Sequence, residues 1–288
     1  MERFIFAFLN IKDKIKKVIN NPALIGFYLQ IYIFSRFKKK KPHIYIVSYP
    51  KCGRTWLRMM LQKYSDNIGL SRKIYSDKTI LGLPDGRTIK FEHDQGSWVP
   101  APPMIKNLKF NVSKYSGKKV VFLVRDPRDI LVSSWYHLKF RENIYRKNLS
   151  AFIRDELVGI HKVVSYMNMW CESKDIPDHF FLLRYEDLHA NTELTFQGLL
   201  LFLNIPVNKK NISHAIKECS FANMKKMETD GAYREPWMKP GTKKLEHSMK
   251  IRKGKIGGFK DELSKADIEH VNSIIDNKLN KLLSYIEV

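Results

Sequence analysis

Cysteine is scarce in this chain of 288 residues: only Cys52, Cys171 and Cys219 are present, with no CxxC pair and no Cys/His ligand spacing. That excludes a disulfide framework, offers no metal site, and fits a reducing, cytoplasmic compartment. Acidic residues are few as well, 29 Asp and Glu against 51 Lys and Arg, for a formal charge of +22. Such an excess points to acidic partners: nucleotides, sulfated or phosphorylated molecules, anionic lipid or nucleic acid. Lysines scattered over surface positions account for part of it. No clean membrane span is found either. The apolar run Pro22 to Phe34 is about a dozen residues long, short of the roughly 20 needed to cross a bilayer. Residues 1–38 also lack a small-residue cleavage site and are interrupted by Lys12, Asp13, Lys14, Lys16 and Lys17, unlike a signal peptide. With the tetrad Lys38 to Lys41, residues 1–41 read as a basic helical extension that packs on the domain or lies at a membrane interface.

What is present is an alternation of strands and helices. His43 to Val47 is a short β-branched run of the kind that makes a buried parallel strand. After it, Leu57, Met60, Leu61 and Tyr64 recur as one face of an amphipathic helix. Arg87 to His93 alternates as a strand with Ile89, Phe91 and His93 on one face, and Lys119 to Val124 is a second buried run. Asp126-Pro127-Arg128-Asp129 has the form of a helix start, with Asp126 as N-cap and Pro127 at the first helical position. Helical periodicity follows through Trp135 and again from Leu149 to Trp170. His179 to Tyr185 is the next strand, with a helix around Leu194 to Leu203. Near the end, Ser264 and Asp267 make a capping-box pattern ahead of Ile268, Val271, Ile274 and Ile275. This order predicts one α/β domain over 42–288, with a mainly parallel central sheet covered by helices on both faces. The polar segment 229–250, with Pro236, Pro240 and Gly241, reads as a loop.

The junction Ser48-Tyr49-Pro50-Lys51-Cys52-Gly53-Arg54-Thr55-Trp56 lies where a strand runs into a helix, so uncapped N–H groups and the positive helix end meet Lys51 and Arg54. It reads as a P-loop-like phosphate cradle. Against GxxxxGK[ST], Ser48 replaces the first Gly and Arg54 replaces the Lys. The neighbouring strand ends in Arg125, where a kinase or ATPase would place an acidic magnesium ligand. A cation there suits an anion held directly by protein, without a metal.

Three segments carry a family resemblance: residues 48–56; Val-Arg-Asp-Pro-Arg-Asp-Ile-Leu-Val-Ser-Ser at 124–134; and Arg-Lys-Gly-Lys-Ile-Gly-Gly-Phe-Lys at 252–260. Together they resemble the signature regions of sulfotransferases that use 3′-phosphoadenosine-5′-phosphosulfate (PAPS), and are most similar to the soluble, cytosolic type. The resemblance spans roughly residues 42–265. It departs at Phe259, where that family usually has Trp, at Cys52, where Ser is usual, and at Arg54, where Thr is usual.

The resemblance implies in-line sulfuryl transfer to a hydroxyl or an amine or guanidine, leaving adenosine 3′,5′-bisphosphate (PAP), with no metal. It places the 5′-phosphosulfate on the N–H groups from Cys52 through Gly53, Arg54 and Thr55 to Trp56, beside the Lys51 ammonium, which also stabilises the leaving phosphate. It places the 3′-phosphate on Arg125, Ser133, Arg252, Lys253 and Gly254. The adenine falls between Trp56 and Phe221, with Tyr185 hydrogen-bonded to it. His93 is the expected general base, near its ordinary pKa of about 6.5, with His137 as its rival. Alternatives from the residues themselves are ordinary packing for the aromatics and an ion pair of Arg125 with Asp126 or Asp129. For the whole chain they are a kinase-like nucleotide enzyme or a basic, non-enzymatic membrane- or polyanion-binding protein. Segment 229–250, with residues near 94–104, is expected to cover a small-molecule or glycan acceptor, a bacterial metabolite or glycan being favoured. Nucleic acid is not an expected partner, and nothing in the sequence indicates the oligomeric state.

Overall fold

The computed structural model describes residues 43–68, 80–83, 86–94, 96, 112–231, 246–283 and 285. The expected extension 1–41 and most of the loop 229–250 lie outside them, and the described residues belong to the unit Pro42–Val288.

The centre is a five-stranded sheet in the order β2 (Ile80–Gly82), β3 (Thr88–Glu92), β1 (Ile44–Ser48), β4 (Lys119–Val124), β5 (His179–Arg184). β1 pairs in parallel with both β3 and β4, β5 pairs in parallel with β4, and only β2 runs antiparallel. The mainly parallel α/β sheet expected from the sequence is therefore present. All five residues of β1 are buried, and all of β4 past Lys119 is buried, because helices cover both faces. Register shows how. Tyr45 and Val47 align with Val120 and Phe122, and that face meets α4 (Ile160–Glu172), where Phe122 stacks on Trp170 at 5.7 Å. Ile46, Phe91 and Val121 line the opposite face, where Arg58 of α1 (Arg54–Asn67) lies over the Phe91 ring and Phe181 packs on Phe202 of α6 (Thr192–Phe202).

Asp126 caps α2 (Pro127–Tyr136) by accepting from the Arg128 N–H at 2.8 Å, as the sequence predicts. The periodicity from Leu149 to Trp170 is not one helix: α3 (Leu149–Ile153) stops, and α4 restarts after Gly159. The chain doubles back so tightly there that a Cβ on Gly159 would lie 2.5 Å from the carbonyl oxygens of Ile153 and Asp155. α5 (Tyr185–Ala190) follows β5 directly, and α7 (Lys209–Glu218) and α8 (Phe221–Thr229) follow α6. In α9 (Lys265–Lys278), the Ser264 hydroxyl caps the Asp267 N–H, but the Asp267 carboxylate turns to Ser150 and Arg154 instead of closing the capping box.

The strand order reverses at β1, between β3 and β4. In an open parallel sheet, that reversal opens a crevice at the carboxyl ends of the strands. The loop after β1, His93 after β3, Arg125 after β4 and Tyr185 after β5 all sit at that edge.

Candidate active site

Those residues line one cavity of about 540 Å³. Its floor is the turn between β1 and α1. Lys51 and Gly53 both adopt left-handed backbone, φ 71° and 90°, in the kind of turn that forms an anion-binding nest. Such backbone at a non-glycine residue costs about 1–2 kcal/mol, and strain of this kind collects at functional sites. Gly53 is required twice over, since a Cβ would meet the Tyr185 ring at 2.5 Å. Asp126, Asn191, Asn208, Ser220 and Ser264 each cap a helix through a side chain, whereas α1 begins at Gly53 with no side-chain cap. Its first N–H groups are free to receive an anion. Burial and neighbouring cations, chiefly Lys250 and then Arg141 and Arg125, lower the Lys51 ammonium to about 7. The Cys52 side chain is fully buried and its thiol is raised by desolvation, leaving its backbone N–H as the group of use there.

At one end of the cavity, Arg125 lies over the Tyr185 ring at 4.5 Å, with Nη2 donating to Asp129 at 3.2 Å and to the Lys255 carbonyl at 2.9 Å. The ion pair weighed from the sequence is thus formed, yet Arg125 still faces the cavity and its buried Nε has no acceptor. Asp129 also accepts from the N–H groups of Gly257 and Phe259, fixing the 252–260 segment beside α2. Arg252 and Lys253 both donate to Glu262, at 2.8 and 2.6 Å. Burial would raise the Glu262 carboxyl, but these cations outweigh it and hold it down to about 2. Ser133 and Gly254 complete this end. The left-handed Gly254 lies under Phe221, where a Cβ would meet the ring at 2.5 Å. Trp56 donates from Nε1 to the Cys219 carbonyl at 3.0 Å and lies edge-on to Tyr185 at 5.8 Å. Phe221, 42% exposed, borders the same space. A planar ring would find aromatic surface there.

At the other end, His93 Nδ1 lies 2.9 Å from the Ser48 carbonyl oxygen, and its Nε2 lies 2.6 Å from Arg54 Nη2. A carbonyl only accepts and a guanidinium only donates, so the ring is neutral, with the proton on Nδ1 and the Nε2 lone pair facing Arg54. Its pKa is not near 6.5. Burial and the Arg54 charge push it down to about 3, against the Ser48 carbonyl that favours the proton. His137, at the end of α2, also faces the cavity, lowered to about 2 by burial and by Lys51. It opens a wider π turn, His137–Arg141, of the kind often found at functional sites. That turn carries Arg141 to the fully buried Glu228, whose carboxylate also accepts from the N–H groups of Lys250 and Ile251 at 2.7 and 2.9 Å. Burial and Arg141 lower Lys250 to about 8. Lys250, Arg141 and Glu228 carry no local sequence signal, because their relation to the site arises only through this long-range junction.

Comparison with known proteins matches the geometry. Residues 41–282 match the model of the sulfotransferase domain. The chain belongs to the PAPS-dependent sulfotransferase family. It is 26% identical to cytosolic sulfotransferase 15 of Arabidopsis thaliana, covering 84% of this chain and 73% of that protein. It is also 26% identical to flavonol 3-sulfotransferase of Flaveria bidentis, over 84% and 83%. A mouse sulfotransferase solved in complex with PAP shares the fold, with a TM-score of 0.58 and 19% identity over 85% of this chain and 87% of the other. The sulfotransferase cavity suits an anionic nucleotide on three observations of this chain: the uncapped α1 terminus, the unsatisfied Arg125 Nε, and a glycine that admits no Cβ.

Proposed function

We propose that this sulfotransferase transfers the sulfuryl group of PAPS in line to a hydroxyl or an amine or guanidine of a small-molecule or glycan acceptor, with His93 as general base. The observation that supports this best is the convergence, at one sheet edge, of an uncapped helix start, a lysine lowered to about 7 and a neutral imidazole. Cys52, Gly53, Arg54, Thr55 and Trp56 would hold the phosphosulfate by backbone N–H groups. Lys51 would take up a proton as that dianion arrives and then favour negative charge on the departing phosphate. Arg125, Ser133, Arg252, Lys253 and Gly254 would hold the 3′-phosphate, Arg125 exchanging its contact with Asp129 for the ligand. Trp56, Tyr185 and Phe221 would hold the adenine. The neutral His93, its orientation set by Ser48, would take the acceptor proton at Nε2.

The names of related proteins support an organic acceptor: one relative is a flavonol 3-sulfotransferase, and a retinol dehydratase of the same fold was solved with androsterone and PAP. The relatives named cytosolic favour a cytoplasmic enzyme. Among the described residues no helix is long and apolar enough to cross a membrane. Residues 1–41 would be an extension of the catalytic unit, touching a membrane at most peripherally, and 229–250 a lid over the acceptor. The test is incubation with PAPS and a panel of phenols, alcohols, guanidines and sugars, read as the mass gain of one sulfuryl group. His93→Ala and Lys51→Ala should each lose at least about a hundredfold in turnover while still binding PAP. Wild-type turnover in either variant removes that residue from the mechanism.

A further inference from the structure

The acceptor end of the cavity holds more positive charge than a phosphosulfate needs. Two groups of cations surround the cavity as a whole, the first at the 3′-phosphate end and the second at the acceptor end. Arg125, Arg252 and Lys253 are each tied to a carboxylate, Asp129 or Glu262. The second group is Lys51, Lys250 and Arg54 in the cavity wall with Arg141 close by, and, on top of burial, these charges lower Lys51, Lys250, His93 and His137. Glu228 answers Arg141 in that group. Glu92, the carboxylate that acts on Arg54, is already committed to Tyr115, Lys90 and Lys114.

Arg54 itself is in an unusual position. Nη2 donates to the His93 lone pair, and Nη1 is buried without an acceptor. A guanidinium N–H withdrawn from water and left without an acceptor is costly, and an oxyanion is the group that would satisfy it. The same side chain blocks the one nitrogen of His93 able to take a proton.

We propose that Arg54 recognises an oxyanion carried by the acceptor, so that the enzyme sulfates acidic acceptors bearing a carboxylate, phosphate or sulfate group. Arg54 then acts as a positioning residue as well. When the acceptor anion takes the guanidinium, Nε2 is released. The acceptor O–H proton passes to Nε2 as its oxygen bonds to sulfur, and the sulfur–oxygen bond to the departing PAP breaks. A neutral acceptor gives Arg54 no reason to leave His93. This rests on the sulfuryl-transfer reading, with His93 as base.

The test titrates the PAP complex of wild type, Arg54→Thr and Arg54→Lys with a matched pair of phenols, neutral para-ethylphenol and anionic para-hydroxyphenylacetate. The histidine side-chain nitrogen resonances are followed by NMR, with His93→Gln to assign them. The wild type should bind the anion at least about tenfold more tightly, the worth of one charge-assisted hydrogen bond. Only the anion should shift the His93 Nε2 resonance. Arg54→Thr should abolish the preference and Arg54→Lys should keep part of it. Equal affinities in the wild type, or a preference that survives Arg54→Thr, overturns the proposal. So does an Arg54→Thr variant that loses PAPS affinity relative to PAP with the phenol ratio intact, since Arg54 would then serve the donor. A wild type that shows the binding contrast but never transfers sulfuryl to any acceptor refutes the functional reading, and with it the sulfation of acidic acceptors, and leaves standing only the recognition of an oxyanion by Arg54.

Discussion

Lys51 and His93 show how strongly surroundings set the chemistry of one side chain. Lys51 stands at about 7, far below a solvated lysine, because burial and the cations Lys250, Arg141 and Arg125 oppose its charge. A dianion reverses that balance. At pH 8, PAP binding should therefore be accompanied by uptake of close to one proton, measured by calorimetry in buffers of different ionisation enthalpy. Lys51→Met should remove the uptake. An equal uptake in that variant would assign the proton elsewhere. His93 presents a different consequence: kept neutral, it is available as a base throughout the neutral range, and its limitation is the Arg54 donor on Nε2 rather than protonation.

Among the elements, the π turn after α2 and the end of α8 do together what neither does alone. α8 delivers Glu228, the π turn delivers Arg141, and the carboxylate then pins the backbone of Lys250 and Ile251 just ahead of Arg252-Lys253-Gly254. Glu228→Gln keeps the shape but halves the acceptor capacity and leaves Arg141 without its buried counter-charge. A loss of about 2–4 kcal/mol in stability is expected, read as a lower denaturant midpoint at unchanged slope. PAP affinity should fall with it, because the 252–254 backbone loses its anchor. A midpoint within error of wild type would show the network to be dispensable.

For the whole molecule, burial and the positive charge gathered at one sheet edge set the pH response. His93 and His137 are lowered in the folded state, to about 3 and about 2, and return to about 6.5 when unfolded. Between those values the unfolded chain binds more protons, so stability rises with pH up to about 6.5 and is lost as pH falls below it. Acidification from pH 7 to 5 should lower the thermal midpoint of the ligand-free protein, and His137→Asn should flatten that slope. This window lies above the usual carboxylate range, so Glu262, held down to about 2, contributes only at lower pH. A wild-type slope in the variant would place the proton uptake on another group.

The strands β1, β3 and β4, the Asp126 cap and the phosphate turn were legible in the chain itself, because each is specified by residues adjacent in sequence: β-branched runs, a capping side chain, a glycine at a strand-to-helix junction. The Leu149 to Trp170 periodicity misled, because one helix ends at Ile153 and another starts after Gly159 without disturbing the spacing of apolar residues. Ionisation and partnership were not legible. Arg54 meets His93 across 39 positions, Arg141 meets Glu228 across 87, and Asp129 meets Phe259 across 130. Periodicity and capping act over a few residues and build the elements; desolvation and Coulomb forces act between side chains that only the folded sheet edge brings together, and these make Lys51 titrate near neutrality and place Arg54 on the base.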